Sequence, residues 1–96
     1  MKMTAPMEIG ICCADLDKLR PFYVDVLGCE PVNEHQVPAE KSAPAAMAKD
    51  GYRVARIQTP WGERLKLIQP VTPAEGTAPA EWILGRRGIA YITFII

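Results

Sequence analysis

Apolar and polar positions alternate from Met7 to Cys13, with Ile9, Ile11 and Cys13 on one side and Glu8, Gly10 and Cys12 on the other. A period of two belongs to a strand buried on one face. The period then lengthens. Leu16, Leu19, Tyr23, Val26 and Leu27 recur every three or four residues, which predicts one apolar stripe along a helix. Asp15 supplies the helix start, because its carboxylate can accept from free N–H groups of the first turn, and Asp17 adds favourable charge there. Gly28 closes the helix where left-handed backbone suits glycine. Pro21 is awkward: its ring removes a donor and crowds the carbonyl four residues back, so a tight first turn or a slight kink is expected.

Cys29 to Glu34 predicts a short edge strand, since Pro31 cannot donate into a central ladder. His35 to Asp50, rich in proline, alanine and charge, reads as a surface excursion with a helical turn around Ala45 to Ala48. Tyr52 to Gln58 and Glu63 to Gln69 are strand-like, and Thr59-Pro60-Trp61-Gly62 between them makes a hairpin turn. Val71 to Pro79 reads as a linker-like crossing, with a short turn at Trp82 to Leu84. Gly88 to Ile96 is again a strand. Its residues Ala90, Ile92, Phe94 and Ile96 form a wholly apolar face, and burying each large side chain there is worth about 1.5–3 kcal/mol. Left bare, such a strand is an aggregation edge. The expectation is that the chain continues past Ile96 or that another subunit covers this face. The organisation expected is a first module over 1–70, a crossing over 71–87 and a further strand over 88–96.

Composition adds mainly exclusions. The 96 residues carry 11 Lys and Arg against 11 Asp and Glu, and 49% are hydrophobic, an ordinary globular balance for one domain. Balanced charge gives no electrostatic reason to expect nucleic acid or an anionic membrane as partner. No apolar run approaches the roughly 20 residues of a membrane helix. Met1 to Pro6 has no apolar core of a secretory signal. Three cysteines, Cys12, Cys13 and Cys29, make a poor disulfide framework and fit a reducing cytoplasm as small buried hydrophobes. Cys12 and Cys13 point to opposite faces of a strand and cannot share one ion. No phosphate loop or nucleophile elbow is present. The one serine, Ser42, and the one histidine, His35, both fall in the predicted excursion.

The order of these pieces carries a resemblance. Met7 to Glu30, with Ala14-Asp15-Leu16-Asp17, Pro21-Phe22-Tyr23 and Val26-Leu27-Gly28, resembles the opening module of the vicinal oxygen chelate superfamily, which includes glyoxalase I, extradiol dioxygenases and bleomycin-resistance proteins. Gly51 to Arg56 and Gly62 to Leu67 look like the hairpin of glyoxalase-like members. Gly88 to Ile96 is similar to the strand that opens the second module. The resemblance implies an α+β fold: a βαβββ module with a mixed, curved sheet and one main helix on its outer face, paired with a second module around a cavity. Its metal-ligand positions fall on Glu8, Lys66 and Tyr91. An ammonium has no lone pair for a cation, so these do not make a divalent site.

Strand parity agrees with that placement. If Ile9 and Ile11 pack beneath the helix, Glu8, Gly10 and Cys12 face the cavity. Leu65 and Leu67 against the helix leave Arg64, Lys66 and Ile68 inward. Ala55 and Ile57 do the same for Tyr52, Val54, Arg56 and Gln58, and Tyr91 and Thr93 follow the same rule. The resemblance therefore implies a glyoxalase-like, metal-free, cytoplasmic homodimer without a cofactor. It would bind a small molecule in a sheet-lined cavity through Glu8, Arg56, Lys66 and Tyr91, with Lys66 pairing Glu8 where the metal would be. Two alternatives stay open. One is a lyase, isomerase or dioxygenase using Zn, Ni, Mn or Fe, with its main ligands beyond Ile96 and Glu8 as this part's contribution. The other is a structural dimerisation module.

Overall fold

The computed structural model describes residues 1–76, 81–85 and 87–93, with Ala90, Ile92 and Thr93 described by backbone alone. Its strands are β1 (Glu8–Cys12), β2 (Glu30–Val37), β3 (Tyr52–Gln58), β4 (Arg64–Pro70) and β5 (Gly88–Thr93); its helices are α1 (Leu16–Pro21) and the short α2 (Ala39–Ser42). One five-stranded sheet runs in the order β2-β3-β4-β1-β5. The β1–β4 pair is parallel and the others are antiparallel, so the sheet is mixed and the class is α+β.

Asp15 caps α1 as its position suggests: Oδ1 accepts the Lys18 N–H at 3.2 Å. A second donor of the first turn, the Leu16 N–H, reaches Gln69 Oε1 on β4 at 2.8 Å, which ties the helix start to the sheet. Pro21 does not sit in a tight first turn. The helix instead widens behind it into a π-type turn over Phe22–Val26, where the Leu27 N–H donates to the Phe22 carbonyl at 3.1 Å. A wider turn rotates each residue less far around the axis. Val24 consequently joins Leu16, Leu19 and Tyr23 in the contact with the sheet, while Val26 and Leu27, expected in the stripe, are exposed. Gly28 follows at φ 75°.

The two faces of the sheet are chemically distinct. Beneath α1 lie Cys13, Leu16, Cys29, Ala55, Ile57 and Leu67, with Ile11 and Leu65 beside them. Above them Arg53 on β3 bonds Asp17 Oδ1 at 3.1 Å and Glu34 Oε1 at 3.0 Å, and Arg20 pairs with the same two acids. On the opposite face Cys12, Val54 and Ile68 form a second cluster, closed by Ala48 and Leu84. All three cysteines are buried and free. Burial pushes the Cys13 thiol up to about 11, so it stays protonated at neutral pH.

The second edge strand is longer than the pattern suggested. β2 runs to Val37, so His35 lies in an exposed strand and not in the excursion. Pro31 is tolerated because β2 is an edge, and the register shifts between Pro31 and Asn33. The helical turn also falls earlier, at Ala39–Ser42 and not Ala45 to Ala48. Pro38 begins it with its preset φ of −74°, and Pro44 lies just past its end. Ser42, expected in an open loop, is 1% exposed; its Oγ donates to the Ala48 carbonyl at 2.6 Å and accepts the Ala48 N–H at 3.0 Å. The turn Ile83–Gly85 docks on this excursion through Leu84 N–H to the Met47 carbonyl at 2.9 Å. Phe94 and Ile96, expected on the apolar face of the last strand, lie outside the described residues.

Gly51, at φ 94°, leads into β3 where a Cβ would stand 2.5 Å from the Val37 carbonyl oxygen. Gly51→Ala is expected to lower unfolding stability by about 1–3 kcal/mol, whereas Gly62→Ala, with nothing near its Cβ, meets only the backbone strain of φ 103° and loses less. Urea denaturation of both variants checks the order. The guanidinium of Arg53, by hydrogen bond and charge, holds the Asp17 carboxyl below its ordinary value. A depressed carboxyl stabilises the fold above its unfolded pKa and loses that contribution as pH falls through the folded one. Asp17→Asn should therefore cost a little stability at pH 7 and nothing at pH 2, read as a narrowed gap between melting curves.

Candidate functional site

The in-register pairing of β3, β4, β1 and β5 lines residues up in rows across the face opposite α1. Arg56 pairs with Lys66, Lys66 with Gly10, and Gly10 with Tyr91. In the next row Gln58 pairs with Arg64 and Arg64 with Glu8. The four residues singled out from the sequence, Glu8, Arg56, Lys66 and Tyr91, thus come together on one face. Tyr91 fits because Gly10 has no side chain: a Cβ there would meet the phenol ring at 3.1 Å.

Glu8 is the centre of the cluster. It is 3% exposed, yet it carries a carboxylate, and an uncompensated charge cannot be kept at that depth. Its Oε1 faces Arg56 Nε at 3.4 Å and Arg64 Nη1 at 3.9 Å, and its Oε2 faces Lys66 Nζ at 3.5 Å. Lys66 Nζ also donates to Tyr91 Oη at 3.3 Å and lies 5.3 Å from the centre of that ring, within cation–π range. Arg56 Nη1 donates to Asn33 Oδ1 at 3.2 Å. Arg64 completes the cluster: strand parity turns it inward beside Lys66, although it is not one of the four residues singled out as contacting a ligand.

The other half of this face is not an open cavity. Ala48 from the excursion and Leu84 from the short turn cover Cys12, Val54 and Ile68, which fills the apolar row. The Cys12 thiol donates to the Leu84 carbonyl at 3.6 Å. A recess of about 280 Å³ lies beyond, between Asp50, Pro70, Thr72, Trp82 and Leu84, and none of the four candidates lines it. A second recess, also about 280 Å³, is lined by Gly28, Glu30, Gln58 and Thr59 near the hairpin turn. Trp61 at the tip of that turn is 89% exposed. No helix among the described residues is long and apolar enough to cross a membrane.

The cluster is asymmetric, and substitutions should reveal it. Removing Glu8 strands three cations around a buried site, whereas removing Lys66 leaves Glu8 two partners. Glu8→Ala is expected to cost about 3–5 kcal/mol and Lys66→Met markedly less, measured by urea denaturation at pH 7. Equal losses would contradict the geometry.

Comparison with known proteins adds no relative to this description: no protein-family model, no curated protein and no solved structure matches the chain.

Proposed function

We propose that the chain is a glyoxalase-like protein of the vicinal oxygen chelate type that binds a small molecule, without a metal, on the sheet face opposite α1. The observation that carries the reading is the convergence of Glu8, Arg56, Lys66 and Tyr91 from four different strands onto that face. Polar side chains gathered on a scaffold of strands, beside apolar packing, are the usual makings of a ligand site. The strand order supports the family reading, because β1, α1, β2, β3 and β4 follow one another as a βαβββ unit and β1 lies parallel to β4.

Electrostatics supports the metal-free part. A divalent ion on Glu8 would stand beside the three cations that already face its carboxylate. Lys66 offers only donors at the position where the family places a ligand. Among the described residues no three His, Cys, Asp or Glu side chains are grouped to hold an ion. The three cations around Glu8 thus favour a reading in which this cluster holds no divalent ion. Lys66 supplies the charge that such an ion would bring.

Two measurements test the reading. Elemental analysis of the purified protein is expected to find Zn, Ni, Mn and Fe well below one equivalent, and a stoichiometric metal would refute the metal-free assignment. In a fragment screen followed by amide NMR shifts, hits should move Gly10, Arg56, Lys66 and Tyr91 together. Hits confined to the recess between Asp50 and Trp82 would move the site elsewhere.

A further inference from the structure

We infer that the ligand of this face is an anion, a carboxylate or phosphate group held between Arg56, Arg64 and Lys66 with the Tyr91 hydroxyl as an added donor. The inference rests on the small-molecule reading above and names the chemistry of what binds.

The first ground is a charge surplus. Arg56, Arg64 and Lys66 all face Glu8, and among the described residues no other acid pairs with any of them. Two positive charges are left over on one patch. Across the sheet, by contrast, Arg20 and Arg53 share Asp17 and Glu34, cation for anion.

The second ground is unused hydrogen-bonding capacity. A charge-assisted N–H···O bond closes to about 2.7–2.9 Å. The three contacts to Glu8 stand at 3.4, 3.9 and 3.5 Å, so the carboxylate neutralises its neighbours without locking them. Arg64 Nε is buried and has no hydrogen-bond partner among the described residues. A buried donor left unmade is costly, and an acceptor-rich group satisfies it. The Tyr91 oxygen accepts from Lys66 and keeps its own proton to give. Donors are abundant here and acceptors are scarce.

The third ground is access. The side chains of Arg56, Arg64 and Lys66 are 23%, 28% and 14% exposed, whereas Glu8 is 4%. The cations therefore reach solvent, and the carboxylate beneath them does not. An incoming anion meets the guanidinium groups first and is shielded by them from Glu8. Two planar forks beside an ammonium suit an oxyanion with several lone pairs.

The test uses the whole chain and three probes of similar shape: benzoate, phenyl phosphate and neutral benzamide. Amide NMR titrations should place benzoate or phenyl phosphate at Gly10, Arg56, Lys66 and Tyr91, with affinity falling as salt rises. The tighter of the two anions identifies the head group. Arg64→Gln should weaken that binding by about tenfold, and Arg64→Lys should restore part of it. Arg64→Gln removes the orphaned donor and only the longest of the three contacts to Glu8, leaving Arg56 and Lys66 in place, so a melting curve close to the parent's confirms that the loss is not unfolding. Benzamide binding these amides as tightly as the anions would overturn the inference and leave the small-molecule reading standing. Silence from all three probes, with fragments of other charge types also failing there, would remove both.

Discussion

The parallel pairing of β1 with β4 is the constraint on which the molecule turns. It sets Glu8 against Arg64 and Gly10 against Lys66, and it sets Ile9 and Ile11 against Leu65 and Leu67 in the same stroke. Because strand side chains alternate, one register sends Ile9, Ile11, Leu65 and Leu67 under α1 and Glu8, Arg64 and Lys66 to the other face. A slip of one residue would bury Lys66 beneath the helix and expose Leu67. The helix and the charged cluster are thus two readouts of one alignment, and neither exists without the other.

Burying a carboxylate at the centre of that alignment has a cost that hydrophobic packing would not incur. At roughly 4 Å and an effective dielectric near 20, each pairing with a cation gains about 4 kcal/mol of Coulomb energy, much of which desolvation takes back. The net contribution to folding is small compared with the loss on removing one partner. Three cations spread around one acid remain partly uncommitted themselves.

Much of this was legible because period two is a strong signal. The β3–β4 hairpin, with its turn at Thr59 to Gly62, followed from alternation and turn residues, and strand parity agreed with the family resemblance in gathering Glu8, Lys66 and Tyr91 onto one face. What was not legible depended on geometry that a fixed helical period hides. The π-type turn behind Pro21 rotated Val26 and Leu27 outward and Val24 inward, which a 3.6-residue repeat cannot anticipate. β2 continues past Glu34 through His35 and Gln36, exposed polar residues on an edge, so nothing in their hydropathy marked them as strand. Ser42 looked like loop chemistry, yet its hydroxyl serves the backbone of Ala48. The filling of the apolar row by Ala48 and Leu84 arises from contacts far apart in sequence, and no local pattern encodes them.

The bare backbone at Gly10 carries a thermodynamic corollary. The phenol ring of Tyr91 rests in the space that a side chain would occupy, and β5, which brings that ring, pairs among the described strands with β1 alone. Strand docking and the completeness of the charged patch are therefore one equilibrium: whatever occupies the patch by grasping the phenol also tightens the seam between β1 and β5, and whatever pries that seam apart removes the Tyr91 ring from the patch. By mass action, a molecule resting on the patch acts as a clasp on the edge of the sheet.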